Sequence, residues 1–200
     1  MIGTHHKTGT VWMLTIFSAV ASYYDLKFCR DKNKAYLRSS YGNFDIFLDD
    51  HSKFDFERLS DYKGLHIIRD PRDVIVSACF YHTKSSEKWL HIKRKDFGGL
   101  TYQEKINSYS SFDDKLIFEM ENAARNVIED IKYWNYDNPD FIEIKYEDLI
   151  QDTNLILFRE IFLFLGFKER IIPSLLKIAY RKSLFSGQVS NNQHIRSGKN

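Results

Sequence analysis

The first dozen residues constrain this chain more than any other stretch. Gly3-Thr4-His5-His6-Lys7-Thr8-Gly9-Thr10 is a glycine-bearing turn. It runs directly into Val11, Trp12, Leu14, Ile16, Phe17, Val20, Ala21 and Tyr24, which recur at helical spacing. Such a turn presents backbone N–H groups at a helix N-terminus, where the dipole also favours an anion. Lys7 adds a full positive charge, and Thr8 and Thr10 add hydroxyls. These residues suit a phosphate or sulfate group. The common triphosphate loop, G-x-x-x-x-G-K-[ST], sets its lysine after the second glycine. Here Lys7 precedes Gly9. The plainer alternative is an ordinary strand-to-helix turn whose lysine is solvated.

The rest of the chain reads as an α/β domain. Phe44–Leu48 is a short strand after the Tyr41-Gly42-Asn43 turn, and Leu65–Ile68 is a compact apolar run after Gly64. Pro71 pushes Asp70 away from helical geometry, so that strand stops. Asp70 and Pro71 then suit the N-cap and first position of a helix bearing Val74, Ile75, Ala78 and Tyr81. A long helical pattern is expected over 116–135, and Asn138-Pro139 breaks it. Phe141, Ile142 and Ile144 form a strand ending at Lys145-Tyr146-Glu147-Asp148. Leu155–Leu165 is helical with Gly166 as its C′ residue, and a last helix runs from about Pro173 to Phe185. Strands alternating with helices imply a mostly parallel central sheet with helices on both faces. Ligands of such sheets bind beyond the C-terminal ends of the strands. The junctions to watch are therefore Thr4–Trp12, Leu48–Ser52, Arg69–Ser77 and Tyr146–Leu149.

Composition narrows the classes. At 200 residues the chain is one domain of ordinary size, and 43% apolar content makes it globular. A net charge of +2 does not indicate a nucleic-acid-binding face. Cys29 and Cys79 make neither a metal-ligand spacing nor a disulfide framework, which fits a reducing, cytoplasmic setting. No run is apolar enough for a membrane span, and residues 1–24 do not resemble a signal peptide. Met1-Ile2 leaves almost no strand before the turn, and Ser197–Asn200 reads as the middle of a loop, so both ends look clipped.

Four segments, in order, resemble the sulfotransferases that use 3′-phosphoadenosine 5′-phosphosulfate (PAPS). Lys7-Thr8-Gly9-Thr10-Val11-Trp12 resembles that family's loop for the 5′-phosphosulfate. Arg69-Asp70-Pro71-Arg72-Asp73-Val74-Ile75-Val76-Ser77 resembles its 3′-phosphate segment, with an arginine closing a strand and a serine two turns into the helix. Tyr146-Glu147-Asp148-Leu149 resembles its strand-end Y-E-D-L, and Arg196-Ser197-Gly198 the start of its late R-x-G loop. That loop continues in the family through glycine, an acidic residue and tryptophan, none of which follows Asn200 here. The resemblance implies a nucleotide-kinase-like, three-layer α/β sandwich and a donor, PAPS, that leaves as adenosine 3′,5′-bisphosphate (PAP).

The resemblance assigns roles that the chemistry fits. Lys7 sits on the oxygen bridging phosphate and sulfate, where negative charge grows as the sulfuryl group leaves. Backbone N–H groups from Thr8 to Trp12, with the Thr8 and Thr10 hydroxyls, hold the 5′-phosphate. Arg69 and Ser77 take the 3′-phosphate, the arginine because a guanidinium matches phosphate bidentately. Arg196, Ser197 and Gly198 close that site. Trp12 stacks on adenine, or else is a core tryptophan of the first helix, and Tyr146 contacts adenine. Arg72 reads as a surface ion-pairing residue.

Sulfuryl transfer also needs a base for the acceptor, and a histidine suits that task. His51 lies just past Phe44–Leu48, where the family carries its catalytic histidine, usually within K-T-H. Here Asp49-Asp50 precede it, so the family's lysine is missing, and either aspartate could raise its pKa or orient its ring. His82 is the second choice, His5 and His6 flank the loop, and His66 reads as a core or sheet-face residue. No metal is implied, since three consecutive residues cannot all point at one ion from a strand end. The acceptor is a small molecule or a glycan. Residues 49–62 and 83–99 are expected to shape its pocket, with Phe54, Phe56, Tyr81 and Trp89 supplying aromatic surface. The basic residues of 84–95 suit an acidic glycan or a solvated loop. Oligomeric state is not written in the sequence. Two alternatives stand beside the transferase reading: a non-catalytic PAP- or PAPS-binding fragment, and a small-molecule kinase of similar fold. The position of Lys7 before Gly9, and the absence of a magnesium-holding Lys-Ser/Thr pair after that glycine, argue against the kinase.

Overall fold

The computed structural model describes residues 1–30 and 43–186. Among them five strands form one wholly parallel sheet: β1 (Ile2–Gly3), β2 (Phe28–Arg30), β3 (Ile46–Asp49), β4 (Gly64–Ile68) and β5 (Phe141–Lys145). Their order is β2-β3-β1-β4-β5, so the two-residue β1 lies at the centre, with β3 on one side and β4 on the other. The chain leaves β1 toward one edge and later returns to build the other. The C-terminal end of β1 is therefore a topological switch point, the place where ligands of open α/β sheets bind.

Contacts group the described chain into two compact units, one holding Met1–Arg69 and the segment from Trp134 onward, the other Asp70–Tyr133. In the first, side-chain alternation splits the sheet into two faces. Ile2, Ile46, Leu48, Leu65, Ile67 and Ile144 point to one face. They pack there against α1 (Thr10–Tyr24), with Phe158, Ile161 and Phe162 of α7 (Ile156–Phe164) and Leu175 and Ala179 of α8 (Ile172–Arg181) in the same core. The helix α1 buries Trp12, Met13, Ile16, Phe17, Val20 and Ala21, the stripe expected from its periodicity. Each fully buried aliphatic side chain here stabilises by roughly 1.5–3 kcal/mol. The other face is aromatic: Phe47 and Phe141 gather Phe44, Phe54, Phe56, Tyr62 and Trp134. Gly64 pairs in register with Phe141, and a Cβ there would lie 2.2 Å from that ring, so a side chain is excluded.

The second unit is helical. It contains α2 (Pro71–His82), α3 (Tyr102–Asn107), α4 (Phe112–Glu121) and α5 (Ala123–Lys132). Asp70 accepts from the Arg72 N–H, and Pro71 opens α2, as the sequence required. The pattern over 116–135 is two helices rather than one. Asn122 breaks it at φ −118°, ψ −105°, where its amide donates to the Phe118 carbonyl at 2.7 Å. The break lets α4 bury Phe118 and Glu119 while α5 buries Ala124, Val127 and Ile131. The segment 83–99 holds two single turns, Lys88–His91 and Lys95–Phe97, with Leu90 buried and Lys84, Lys88, Lys93, Arg94 and Lys95 exposed. The last helix ends at Arg181 rather than Phe185, and a short turn over Leu184–Ser186 follows.

Candidate functional site

The turn between β1 and α1 is a self-braced loop. Its hub is the main chain of His5. The His5 carbonyl accepts from the Thr8 N–H at 3.1 Å, the Thr8 hydroxyl at 3.0 Å and the Thr10 hydroxyl at 3.0 Å. The His5 N–H donates to Thr8 Oγ1 at 2.7 Å, and the Thr4 and Thr10 hydroxyls meet at 2.9 Å. This corrects the expected part of the Thr8 hydroxyl. Thr8 is fully buried, and its hydroxyl hydrogen is committed to the loop, so its oxygen shapes the cradle rather than pointing out of it. The chain then turns through two left-handed residues, Lys7 at φ 67° and Gly9 at φ 98°. Gly9 is the N-cap of α1, so no side chain caps that helix, and its first turn carries no acidic residue. The first-turn N–H groups of a helix have no partner within the helix itself. Here they stand at the positive end of a 15-residue helix beside Lys7, with half-buried Thr10 and Val11 at their mouth.

Arg69 and Tyr146 come to the same loop. The Arg69 guanidinium donates to the Lys7 carbonyl at 2.9 Å, lies 4.5 Å from the Tyr146 ring centre and approaches Glu147 at 4.0 Å. Tyr146 opens α6 (Tyr146–Leu149) at the end of β5. A Cβ on Gly9 would come within 3.2 Å of its ring, so glycine is required here by close approach as well as by φ. Trp12 meets Tyr146 edge-on at 6.3 Å and Phe158 at 5.8 Å and is only 7% exposed. It is a core residue, as the alternative sequence reading had it, although its buried Nε1 has no hydrogen-bond partner among the described residues. Four of the sequence-selected residues are thus linked in series, Lys7 to Arg69, Arg69 to Tyr146 and Tyr146 to Gly9, with Trp12 edge-on to Tyr146. The Arg69–Lys7 and Arg69–Tyr146 contacts have no signal in sequence spacing.

His51 sits on the turn after β3, with its side chain exposed. The aspartates before it serve other partners. The buried Asp49 carboxylate accepts from the N–H groups of His51 at 2.8 Å and Lys53 at 3.1 Å. Burial raises its pKa, and those two N–H groups oppose the rise. Asp50 forms a bidentate pair with Arg30 at 2.9 and 2.5 Å. Asp49 also interacts with the charge of His51, which lowers the Asp49 pKa against the effect of burial. Ser52, at φ 55°, donates to the Thr4 carbonyl at 3.1 Å and ties this turn to the loop.

Other selected residues lie elsewhere. His82 is locked in the second unit, 1% exposed, with its Nδ1 2.8 Å from the fully buried Glu119 carboxylate that also accepts from Tyr102. That packing removes it from the choice of base. Ser77 is half-buried on α2. Arg72 is exposed and paired with Asp70 at 2.6 Å. Arg196, Ser197 and Gly198 lie outside the described residues. The aromatic residues proposed for the acceptor are largely spent on packing: Phe54 and Phe56 belong to the aromatic sheet face, and Tyr81 and Trp89 both donate to Glu87. Among the described residues no helix is long and apolar enough to cross a membrane, and no group of three or more His, Cys, Asp or Glu side chains is placed to hold a metal ion.

A parallel α/β sheet with a lysine-bearing loop at its switch point defines a P-loop-like, kinase-type fold. The family model of the sulfotransferase domain matches residues 1–200. The chain belongs to the sulfotransferase domain family. No curated protein sequence matches it. Among solved structures it is similar to mouse sulfotransferase SULT7A1 complexed with PAP, with a TM-score of 0.57 at 15% identity. That match covers 92% of this chain and 63% of the mouse chain, so the chain spans less than two thirds of the length of that structure.

Proposed function

We propose that this chain is a PAPS-dependent sulfotransferase that moves the sulfuryl group to a hydroxyl or amine of a small-molecule or glycan acceptor. One observation carries the reading: the uncapped, acid-free N-terminus of α1 opens beside Lys7, with Arg69 and Tyr146 drawn against the same loop. The donor set suits a phosphosulfate, and the PAP bound in the mouse structure of similar fold supports the same nucleotide here. Bound PAPS supplies an activated sulfuryl group on a phosphate leaving group.

The chain's residues do the rest. The N–H groups at the start of α1 hold the 5′-phosphate without reorganising. Lys7 stabilises the charge that collects on the bridging oxygen as the S–O bond breaks and its electron pair stays with that oxygen. The acceptor oxygen or nitrogen forms the new bond to sulfur, and its proton passes to His51. Arg69 holds the 3′-phosphate. Tyr146 contacts adenine.

Thermal unfolding with PAP in magnesium-free buffer tests the reading. A hundredfold excess over Kd should raise Tm by about 5–10 °C for a chain of this size. Labelled sulfate should also move from PAPS to members of an acceptor panel. A shift seen only with ATP and magnesium would overturn the reading in favour of a kinase. A PAP shift without transfer to any acceptor would leave a nucleotide-binding protein that is not an enzyme.

A further inference from the structure

Beneath the loop lies a pair of histidines that the transferase reading leaves unused. His5 Nε2 and His66 Nε2 are 2.9 Å apart, and the two side chains are 1% and 0% exposed. Two imidazole nitrogens at that distance hold one hydrogen between them. With none, two lone pairs face each other, and with two, the hydrogens collide. We infer that His5 and His66 form a one-proton imidazole pair whose job is to fix the main chain of His5, and through it the shape of the Lys7 loop. They are positioning residues, since neither touches the reacting atoms. The inference rests on the transferase reading only for its consequence on PAP.

Each side of the pair is anchored. His66 stacks on Trp134 at 4.1 Å and 23°, and the Trp134 N–H donates to Glu143 at 3.0 Å. Glu143 is the register partner of His66 on β5, and Gly3 is its partner on β1. The His66 ring therefore has a fixed position before His5 reaches it. On the other side, the His5 carbonyl and N–H make four of the bonds that define the loop. A rotation of His5 would carry Thr8 and Thr10 with it and move Lys7, two residues on.

Burial of both rings favours the uncharged form of the pair. The titratable and charged groups around His66 are His5 from the loop, Glu143 from β5 and Tyr136 from the segment after α5, whose ring lies 6.1 Å away. Burial, helped by His5, pushes the His66 pKa down to about 3. An unfolded histidine titrates near 6.5. The folded pKa is the lower one, so the stabilisation is complete above pH 6.5 and drains away as pH falls toward 3.

Two variants test the pair. His66→Leu removes the hydrogen bond at similar size, whereas His66→Gln sets an amide near the position of Nε2. In the free protein, hydrogen exchange at the Thr8 amide should quicken about tenfold in His66→Leu and stay within threefold of wild type in His66→Gln. PAP affinity should fall about tenfold in the first and recover in the second. Ring-nitrogen NMR of the wild type at pH 7 should show both imidazoles neutral. Two charged imidazoles, an unchanged Thr8 amide in a folded His66→Leu, or a glutamine variant no better than leucine would each overturn the pair, and one charged imidazole would overturn its neutral form. The exchange and NMR readouts need no nucleotide. A wild type that fails to bind PAP therefore refutes the donor assignment while the histidine pair is still judged on its own.

Discussion

The helices α1 and α2 each follow a strand of the parallel sheet, and they treat their N-termini in opposite ways. The helix α1 follows β1 with a left-handed glycine at its N-cap, no side-chain cap and no acid in its first turn. The helix α2 follows β4 with Asp70 capping it, Pro71 at its first position and Asp73 in its first turn. The first leaves its positive end open to an outside anion, while the second supplies its own. On the proposed reading, the first junction is the binding site, while the second closes its helix with its own side chain. Arg69, proposed to bind the nucleotide, sits before the cap and turns back to the first junction, where it reaches the Lys7 carbonyl.

Three substitutions separate the two junctions. Lys7→Ala should have the largest effect, since it removes charge stabilisation needed only as the bridge breaks. Transfer should fall by at least about a hundredfold in kcat, with a smaller change in PAP affinity. Single-turnover kinetics with labelled PAPS would check it, and a kcat near wild type would remove Lys7 from the chemistry. Arg69→Ala comes next. The loss of charge-assisted hydrogen bonds of about 1.5–3 kcal/mol should weaken PAP by about 10–100-fold in calorimetry. Unchanged affinity would refute the assignment of Arg69 to the nucleotide. Asp70→Ala should matter least: about 1 kcal/mol of stability, read as 2–4 °C in Tm, with PAP affinity within twofold of wild type. If Asp70→Ala weakened PAP as much as Arg69→Ala, the contrast between an open and a closed N-terminus would not hold.

Much of this was legible because the cues are local. Gly9, Asp70, Pro71 and the stripe from Trp12 to Ala21 each state their conformation within a few residues of chain, whereas the left-handed backbone of Lys7 carries no such cue. The less legible parts depend on register and folding geometry. His5 and His66 are 61 residues apart, and only the pairing of Gly3 with His66 brings them together. A histidine inside an apolar run reads as a core residue, which His66 is, but its partner is invisible in the sequence. The break at Asn122 is hidden because apolar spacing continues across it. Trp134 fits the helical period yet lies beyond Lys132, the end of α5, and packs on the aromatic sheet face. The edge strand β2, Phe28–Arg30, is too short to carry a pattern. Around His51 the sequence does not show that Asp49 also accepts from backbone N–H groups or that Asp50 pairs with Arg30 across 20 residues.

The hydrogen bond from Arg69 to the Lys7 carbonyl spans 62 residues of chain and closes the loop from the far side of β4. Its consequence is entropic and kinetic. A loop already held by its own threonines and by an arginine has given up its conformational freedom during folding, not at the moment of capture. A nucleotide that arrives meets a finished surface. Its association should therefore be set by diffusion and by attraction to Lys7 and Arg69, and should slow as salt screens that attraction, with no separate phase for loop closure.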